Sequence, residues 1–324
     1  MHTLLMVLSV LLLVPGSVFA LWLLRRFGGW TWHRDVQVLL LSVPLLSLMI
    51  DLFAVDHFVG QACFASAPRW DRLLSLLLPF GMGLIALVGC GLGMVRQLLL
   101  LRVVARQGCL AGTEVEALAT RLATILGILP PRILVYLIRG PLALTYGILH
   151  PTIILSPWML EHLDGSEREA VLAHEVAHIA RHDAQVGWIA HLLHDAFWYV
   201  PTSWAVYRQL QHEKELASDD LALSLTHRPI GLASALAKVW QATVPLPTSS
   251  TGLALVGMEN SIEDRITRLL YPQTRTNDVL EARWLSLGSV LLALVGLVMI
   301  EAVMIAILLS TMGCGPLAPL GILR

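Results

Sequence analysis

The chain has 324 residues, of which 56% are hydrophobic and only 14% are charged, and its formal net charge is -1. A soluble domain carries about 25% charged residues, so much of this chain requires lipid as its solvent. The balanced charge argues against a nucleic-acid-binding protein, because such a protein presents a basic face. Its four cysteines form no close pair, which excludes a dense disulfide scaffold and a C-x-x-C metal site.

Four segments are apolar and each is close to the length of about 20 residues that a helix needs to cross a bilayer. They are Thr3–Leu24, Val36–Val55, Leu73–Val95 and Trp284–Ser310. In the first segment the positive charges follow the apolar run instead of preceding it, which is unlike a cleaved signal peptide. The sequence therefore predicts an integral membrane α-helical protein with four spans.

The placement of arginines orients these spans. Arginines follow the first and the third span, at Arg25, Arg26, Arg34, Arg96, Arg102 and Arg106. Cytoplasmic loops carry an excess of Lys and Arg, so residues 96–283 are predicted to be cytoplasmic. Both termini are then extracytoplasmic, and the protein belongs in the inner or plasma membrane.

The region between spans three and four has the alternating pattern of an inserted α+β domain. Capping-box patterns at Thr113 with Glu116 and at Ser166 with Glu169 predict the starts of two helices. Further helices are predicted after Asp183 as far as Tyr199, at about 203–225 and at 261–270. Strands are predicted at 132–138, 142–146 and 152–156, and a loop at 241–258.

The second of these helices carries an H-E-x-x-H motif, from His174 to His178. Residues four apart lie on one face of a helix, so both imidazoles can bind one zinc ion, with Glu175 beside them. Zinc in a catalytic site takes three protein ligands and keeps one position open for water. The alternative is a solvated helix face that carries two unrelated histidines.

Downstream, Glu215 and Asp219 form an E-x-x-x-D pattern on another predicted helix. Glu215 is the candidate for the third zinc ligand, and Glu213 is its main rival. Asp219, one turn further along, can orient a ligand histidine. The domain between the spans is therefore predicted to be a zinc metalloprotease at residues 109–283, flanked by three spans in residues 1–108 and one in residues 284–324.

The chemistry of such a site assigns a role to Glu175. Zinc lowers the pKa of its water toward ~7, and Glu175 as catalytic base takes the proton and later delivers it to the leaving amine. Substrates of such enzymes usually add a strand to an exposed sheet edge. The candidate substrate-binding residues are Leu142, Ala143, Leu144, Thr145 and Tyr146. We choose no oxyanion donor, since His194, Tyr199 and His212 are each better explained as packing or surface groups.

The stretches EREAVLAHEVAHIARHD, FWYVP, EKELASDD and RITRLL occur in an order that resembles the BlaR/MecR-type membrane metallopeptidases. The resemblance implies an antirepressor protease with a cytosolic gluzincin domain, three spans before it and one after it. It also implies zinc ligands at His174, His178 and Glu215, with Glu175 as the base. The Ste24 and HtpX membrane proteases are more distant relatives that share the E-x-x-x-D arrangement.

The best-known members of that family carry a penicillin-binding sensor domain after the last span, and this sequence ends at Arg324, shortly after it. The expected function is cleavage of a cytosolic protein, of the transcriptional-repressor type, or of the chain itself, in transmembrane signalling. The alternatives are a quality-control protease of membrane proteins, as in HtpX, and a receptor or scaffold with an idle zinc site. The lipid bilayer is a partner, nucleic acid is not, and a homodimer is left open.

Three further features are open to a functional interpretation. Gly89 and Gly93 form G-x-x-x-G in span three, which favours a close helix-packing surface. Glu301 lies in span four, where an ionisable group is costly; it is either functional or hydrogen-bonded between helices. Cys63 and Cys314 share the extracytoplasmic side, where a disulfide can persist, and two unpaired thiols are the equal alternative.

Overall fold

The computed structural model describes residues 37–38, 40–49, 52, 68–148, 150–243 and 262–271. The predicted spans 3–24 and 284–310, together with Cys63, Glu301 and Cys314, lie outside these residues. The described residues divide into two compact units. The helical unit lies within Met1–Met94 and Ala190–Leu210, and the sheet unit lies within Val95–Ile189 and Gln211–Thr276.

Two helices form the N-terminal part of the described chain. Helix α1 spans Leu40–Met49, inside the predicted second span. Helix α2 runs for 39 residues over Arg69–Gln107 and contains the predicted third span. Among the described residues, its stretch Arg72–Leu99 is the one helix that is long and apolar enough to cross a bilayer. The described residues are thus mostly helical and include one candidate membrane span.

A sheet of four short strands organises the sheet unit, in the order β1-β2-β4-β3. The strands are β1 (Gly108–Leu110), β2 (Arg132–Tyr136), β3 (Ala143–Tyr146) and β4 (Thr152–Leu155). Strand β4 lies centrally, parallel to β2 and antiparallel to β3, and all four of its residues are buried. A central strand covered on both faces must be apolar throughout, as this one nearly is. Strand β3 is left at one edge.

Further helices follow in the described part of the chain. They are α3 (Thr113–Ile125), α4 (Pro157–His162), α5 (Gly165–Ala180), α6 (Asp183–Ala196), α7 (Pro201–Thr226), α8 (Pro229–Thr243) and α9 (residues 262–270). Helix α5 lies at the centre of the core. Its Leu172, Ala173 and Val176 are at most 2% exposed and cluster with Ile153 of β4 and Leu232 of α8. This burial fixes the rotation of α5 about its axis.

The helix starts differ from the predicted capping boxes. The residue that caps helix α5 is Asp164, two residues before the predicted Ser166, and Glu167 completes the box by accepting from the Asp164 backbone N–H. Helix α3 begins after Gly112 without a side-chain cap. Both predicted boxes, at Ser166 with Glu169 and at Thr113 with Glu116, were therefore wrong.

Strand β1 and helices α4 and α8 were not predicted. Strand β1 has only three residues and is held in the sheet by its antiparallel pairing with β2. Helix α8 is tied to the start of α5 through the buried carboxylate of Glu167, which accepts from Ser234 and Lys238, each at 2.6 Å. Such long-range contacts leave no local pattern in the sequence.

Candidate metal centre

The candidate metal centre begins with how α5 ends. His182 adopts a left-handed backbone conformation with φ of 55° just after the helix, and its N–H donates to Ile179 O at 3.0 Å. This single residue turns the chain so that α6 starts at once with Asp183. The turn brings the Asp183 carboxylate back to His178 on the last turns of α5.

Three side chains converge at the centre. His174 Nε2 lies 3.1 Å from His178 Nε2 and 3.3 Å from an oxygen of Glu215, while His178 Nε2 lies 3.7 Å from the other oxygen. One donor atom from each of the three residues lies within 4.8 Å of the others. Two imidazole nitrogens and one carboxylate oxygen form a donor set that suits zinc. The side chains present therefore fit a metal ion.

The outer nitrogen of each histidine is held by a carboxylate. His174 Nδ1 lies 2.8 Å from Asp219 Oδ1, and His178 Nδ1 lies 2.9 Å from Asp183 Oδ2. Ser218 Oγ lies 2.9 Å from the same His178 nitrogen and donates to Asp183 at 3.2 Å. A carboxylate on Nδ1 holds the proton there, so that the lone pair of Nε2 faces the centre.

Arg265 of α9 binds two carboxylates of α7, those of Asp219 and Glu215. Its Nε and Nη2 donate to the two oxygens of Asp219 at 2.7 and 2.8 Å, and its Nη1 lies 3.2 Å from Glu215 Oε2. A two-pronged contact of this kind fixes the plane of the carboxylate. Arg265 thus holds Asp219 and Glu215 in one arrangement.

Glu175 lies outside this donor set and contacts the sheet. The hydroxyl of Thr145 on β3 donates to Glu175 Oε2 at 2.8 Å and lies 3.1 Å from its backbone oxygen. Glu175 is only 5% exposed, so this contact decides where its carboxylate sits. The edge strand β3 and the carboxylate beside the donor set are therefore joined by one side chain.

The electrostatics of the centre are strongly coupled. Burial alone would lower the pKa of His174, but the hydrogen bonds to Asp219 and Glu215 outweigh it and raise this pKa to about 9. Burial alone would likewise raise the pKa of Glu215, yet the contacts with His174 and His178 hold it well below its usual range. A proton on His174 and a charge on Glu215 therefore stabilise each other when no metal is bound.

The predicted site residues are distributed as follows. His174, His178, Glu215 and Asp219 come together, and the cluster contains Glu215 and not its rival Glu213. Strand β3 begins at Ala143, one residue after the predicted start. His194 and Tyr199 pack with aromatic rings of the helical unit. The roles of these residues stay predictions.

Sequence reasoning missed Asp183, Ser218 and Arg265. Asp183 lies five residues after His178, a spacing that brings them together only because His182 reverses the chain. Ser218 lies beside Asp219 on α7, one helical turn after Glu215. Arg265 was noticed only within the run RITRLL.

Comparison with known proteins identifies the class. A family model described as BlaR1 peptidase M56 matches residues 84–269, which is more than half of the chain. The matched region includes the helices and strands that build the cluster described above. Membership of this family indicates a membrane-associated metallopeptidase and implies a metal cofactor.

The chain belongs to the BlaR1 peptidase M56 family. It is similar to the regulatory protein BlaR1 of Bacillus licheniformis, with 30% identity over 96 residues. This match covers 30% of the chain and 16% of the relative, so the chain spans less than a fifth of the length of that protein. This match by itself therefore does not assign the activity of the whole relative to this chain.

We expect Asp183→Asn to weaken binding of Zn²⁺ about 10–100-fold, because an amide no longer fixes the proton on His178 Nδ1. Competition with a chromophoric chelator measures this affinity. Asp220→Asn is the matched control, since Asp220 pairs with Arg268 on the exposed side of α7. Equal affinities of the two variants would show that Asp183 does not position His178.

Binding of Zn²⁺ should release a proton and strengthen as the pH rises. The pKa of His174 is raised to about 9, so below that value the metal must displace a proton from this side chain. The apparent affinity should rise by up to about tenfold per pH unit and level off above about pH 9. Calorimetry in buffers of different ionisation enthalpy counts the protons released. A pH-independent affinity without proton release would contradict the raised pKa of His174 in the metal-free site.

Proposed function

We propose that this chain is a membrane-embedded zinc endopeptidase that cleaves a cytosolic protein as part of transmembrane signalling. The observation that carries the proposal is the convergence of His174, His178 and Glu215, with a separate carboxylate, Glu175, next to them and outside the donor set. A structural metal site needs no such free carboxylate. The name of the relative, a regulatory protein, supports the signalling role.

Bound zinc would lower the pKa of a water molecule toward ~7 and polarise the scissile carbonyl. His174, His178 and Glu215 would hold the ion, with Asp219 and Asp183 fixing the two rings. Glu175 accepts the proton of the attacking water and delivers it to the leaving amine. Thr145 holds the Glu175 carboxylate in position through its hydroxyl.

Strand β3 is our candidate for the substrate-binding edge. It ends the sheet on one side, and its Thr145 contacts the proposed base. A peptide that adds a strand there would gain backbone hydrogen bonds and pass alongside Glu175. Leu142, Ala143, Leu144 and Tyr146 complete the proposed edge. An extended peptide binds such an edge largely through its backbone, which suits a protein substrate.

For the membrane arrangement we propose four spans, three within residues 1–108 and one within 284–324, with the protease domain of residues 109–283 in the cytosol. The arginines that follow spans one and three support this orientation. The substrate is then a cytosolic protein, and a repressor-type regulator is the class that fits the signalling role.

The experiment compares newly formed protein N-termini in cells that express the wild type or the Glu175→Ala variant at equal levels. We expect cleavage of at least one cytosolic protein with the wild type alone. Cleavage confined to misfolded membrane proteins would favour quality control. Identical sets of N-termini in both strains would favour a non-proteolytic receptor or scaffold and would overturn the proposal.

A further inference from the structure

The connection between α6 and α7 forms a helical hairpin, residues 190–210, that packs on the predicted spans. We call it the α6–α7 hairpin. At its tip, Ala196 and Phe197 are buried and cluster with Leu48 of α1 and Ala86 of α2. Partly buried neighbours from both partners complete this contact: Leu52, Met82, Cys90, Tyr199 and Val200. All of these residues belong to the helical unit.

The contact with α2 lies at the middle of the candidate span. Ala86 is at the centre of the 28-residue stretch Arg72–Leu99. At Gly89, an added Cβ would lie 2.2 Å from the backbone oxygen of Asp195, and at Gly93 it would lie 2.4 Å from a carboxylate oxygen of that residue. The G-x-x-x-G face is therefore a close packing surface, as predicted, and its partner is the hairpin. A segment that packs on the centre of a membrane span lies at the depth of the hydrocarbon core.

The outer side of the hairpin is apolar and exposed. Trp198 and Trp204 are 55% and 43% exposed, and the indole N–H of Trp204 donates to the backbone oxygen of Trp198 at 2.7 Å. With that N–H satisfied, the Trp204 ring needs no water. The surface of α2 also exposes apolar side chains, with Leu84 and Leu87 exposed by 63% and 73%. The hairpin and the candidate span that it packs on thus both present exposed apolar side chains.

Three ionisable side chains of the hairpin, His191, His194 and Asp195, pair with one another or with Tyr207. His191 Nδ1 lies 3.0 Å from the Tyr207 hydroxyl, and its Nε2 lies 3.3 Å from Asp195 Oδ2. His194 Nδ1 lies 3.1 Å from the other oxygen of Asp195. Ionisable groups inside membranes are tolerated when they pair in this way. Helix α7 begins with Pro201, which has no N–H group to satisfy at the start of the helix.

We propose that the α6–α7 hairpin enters the bilayer beside the third span and returns without crossing it, so that lipid acyl chains cover Trp198 and Trp204. Only Asp195 and Arg208 are charged within residues 190–210. Asp195 pairs with His191 and His194 and packs against α2. Arg208 lies seven residues after Pro201, away from the tip. The hairpin is a membrane contact additional to the four spans, and it does not depend on the proposed peptidase activity.

The test places single spin labels in the full chain in liposomes, after replacement of Cys63, Cys90, Cys109 and Cys314 by alanine. Labels at 198 and, independently, at 204 are compared with labels at Leu87, exposed on the span, and at Leu129, an 85% exposed residue of the sheet unit. The accessibility of each label to oxygen and to a water-soluble nickel complex is measured. Oxygen concentrates in the acyl region, whereas the nickel complex stays in water.

We expect labels at 198 and 204 to match Leu87, with high oxygen and low nickel accessibility. A pattern like that of Leu129, with high nickel accessibility, would place the hairpin in water and overturn the proposal. Low accessibility to both reagents would mean that protein covers this face, either another part of the chain or a second copy, and would also overturn it. The label at 204 decides the question if the Trp198→Cys variant does not fold.

Discussion

Glu175→Gln should retain nearly all of the bound Zn²⁺ and lose more than a hundredfold in the rate of proteolysis. Glutamine keeps the shape of the side chain and can still accept from Thr145, but it cannot take a proton from water. A hundredfold loss corresponds to roughly 3 kcal/mol of barrier height. Metal content by atomic emission and cleavage under single-turnover conditions measure the two effects separately.

The matched control for this substitution is Thr145→Val, which keeps the proposed base and removes the hydroxyl that positions it. We expect a smaller loss of rate, because the carboxylate remains but is no longer held at one place. Cleavage by Glu175→Gln at the wild-type rate would contradict the role of Glu175 as the base. Loss of the metal from this variant would instead mean that Glu175 belongs to the donor set.

Glu215→Gln should weaken binding of Zn²⁺ strongly. The expected loss is larger than the roughly 10–100-fold caused by mutating a residue that hydrogen-bonds to a metal ligand. A neutral amide is a poor zinc ligand, and the two histidines alone leave the ion with two protein donors. The loss of charge also removes one of the two carboxylates that contact His174 and Arg265. Equilibrium dialysis against zinc at fixed pH measures the affinity.

Glu213→Gln is the control for this second prediction. Glu213 lies two residues earlier on the same helix, so both variants remove one carboxylate from α7. We expect Glu213→Gln to bind the metal as the wild type does. The reverse result, with zinc lost from Glu213→Gln and kept by Glu215→Gln, would mean that the side chains rearrange when the metal binds.

Local patterns predicted much of the sheet unit. The spacing of His174 and His178 places both rings on one face of a helix, and the four-residue spacing of Glu215 and Asp219 does the same on α7. These relations depend only on helix geometry, which a sequence determines directly. The apolar runs of β2 and β4 were similarly visible, because buried strands must be nearly continuous in apolar residues.

Contacts that depend on tertiary packing were not predictable in the same way. Asp183 reaches His178 because His182 adopts a left-handed conformation, which no sequence rule demands of a histidine. Arg265 reaches Asp219 across 46 positions of the chain. The parallel pairing of β2 with β4 is set by the whole sheet and not by either strand.

The α6–α7 hairpin was not predicted for a related reason. Its apolar run is too short to be recognised as a span, since about 20 residues are needed to cross a bilayer. The sequence indicated only that helix continues to Tyr199 and that Pro201 breaks it. The packing of Asp195 on Gly89 and Gly93 identifies the partner, and this contact joins residues that lie about a hundred positions apart.

The most direct test of the catalytic metal centre is X-ray absorption at the zinc edge on the purified wild-type chain loaded with one equivalent of Zn²⁺. We predict two imidazole nitrogens at about 2.0–2.1 Å and oxygen ligands at about 2.0–2.2 Å, with one oxygen exchangeable as solvent. The second imidazole contribution should disappear in His178→Ala. A sulfur ligand at about 2.3 Å, or four protein ligands that close the coordination sphere, would contradict a catalytic site at His174, His178 and Glu215.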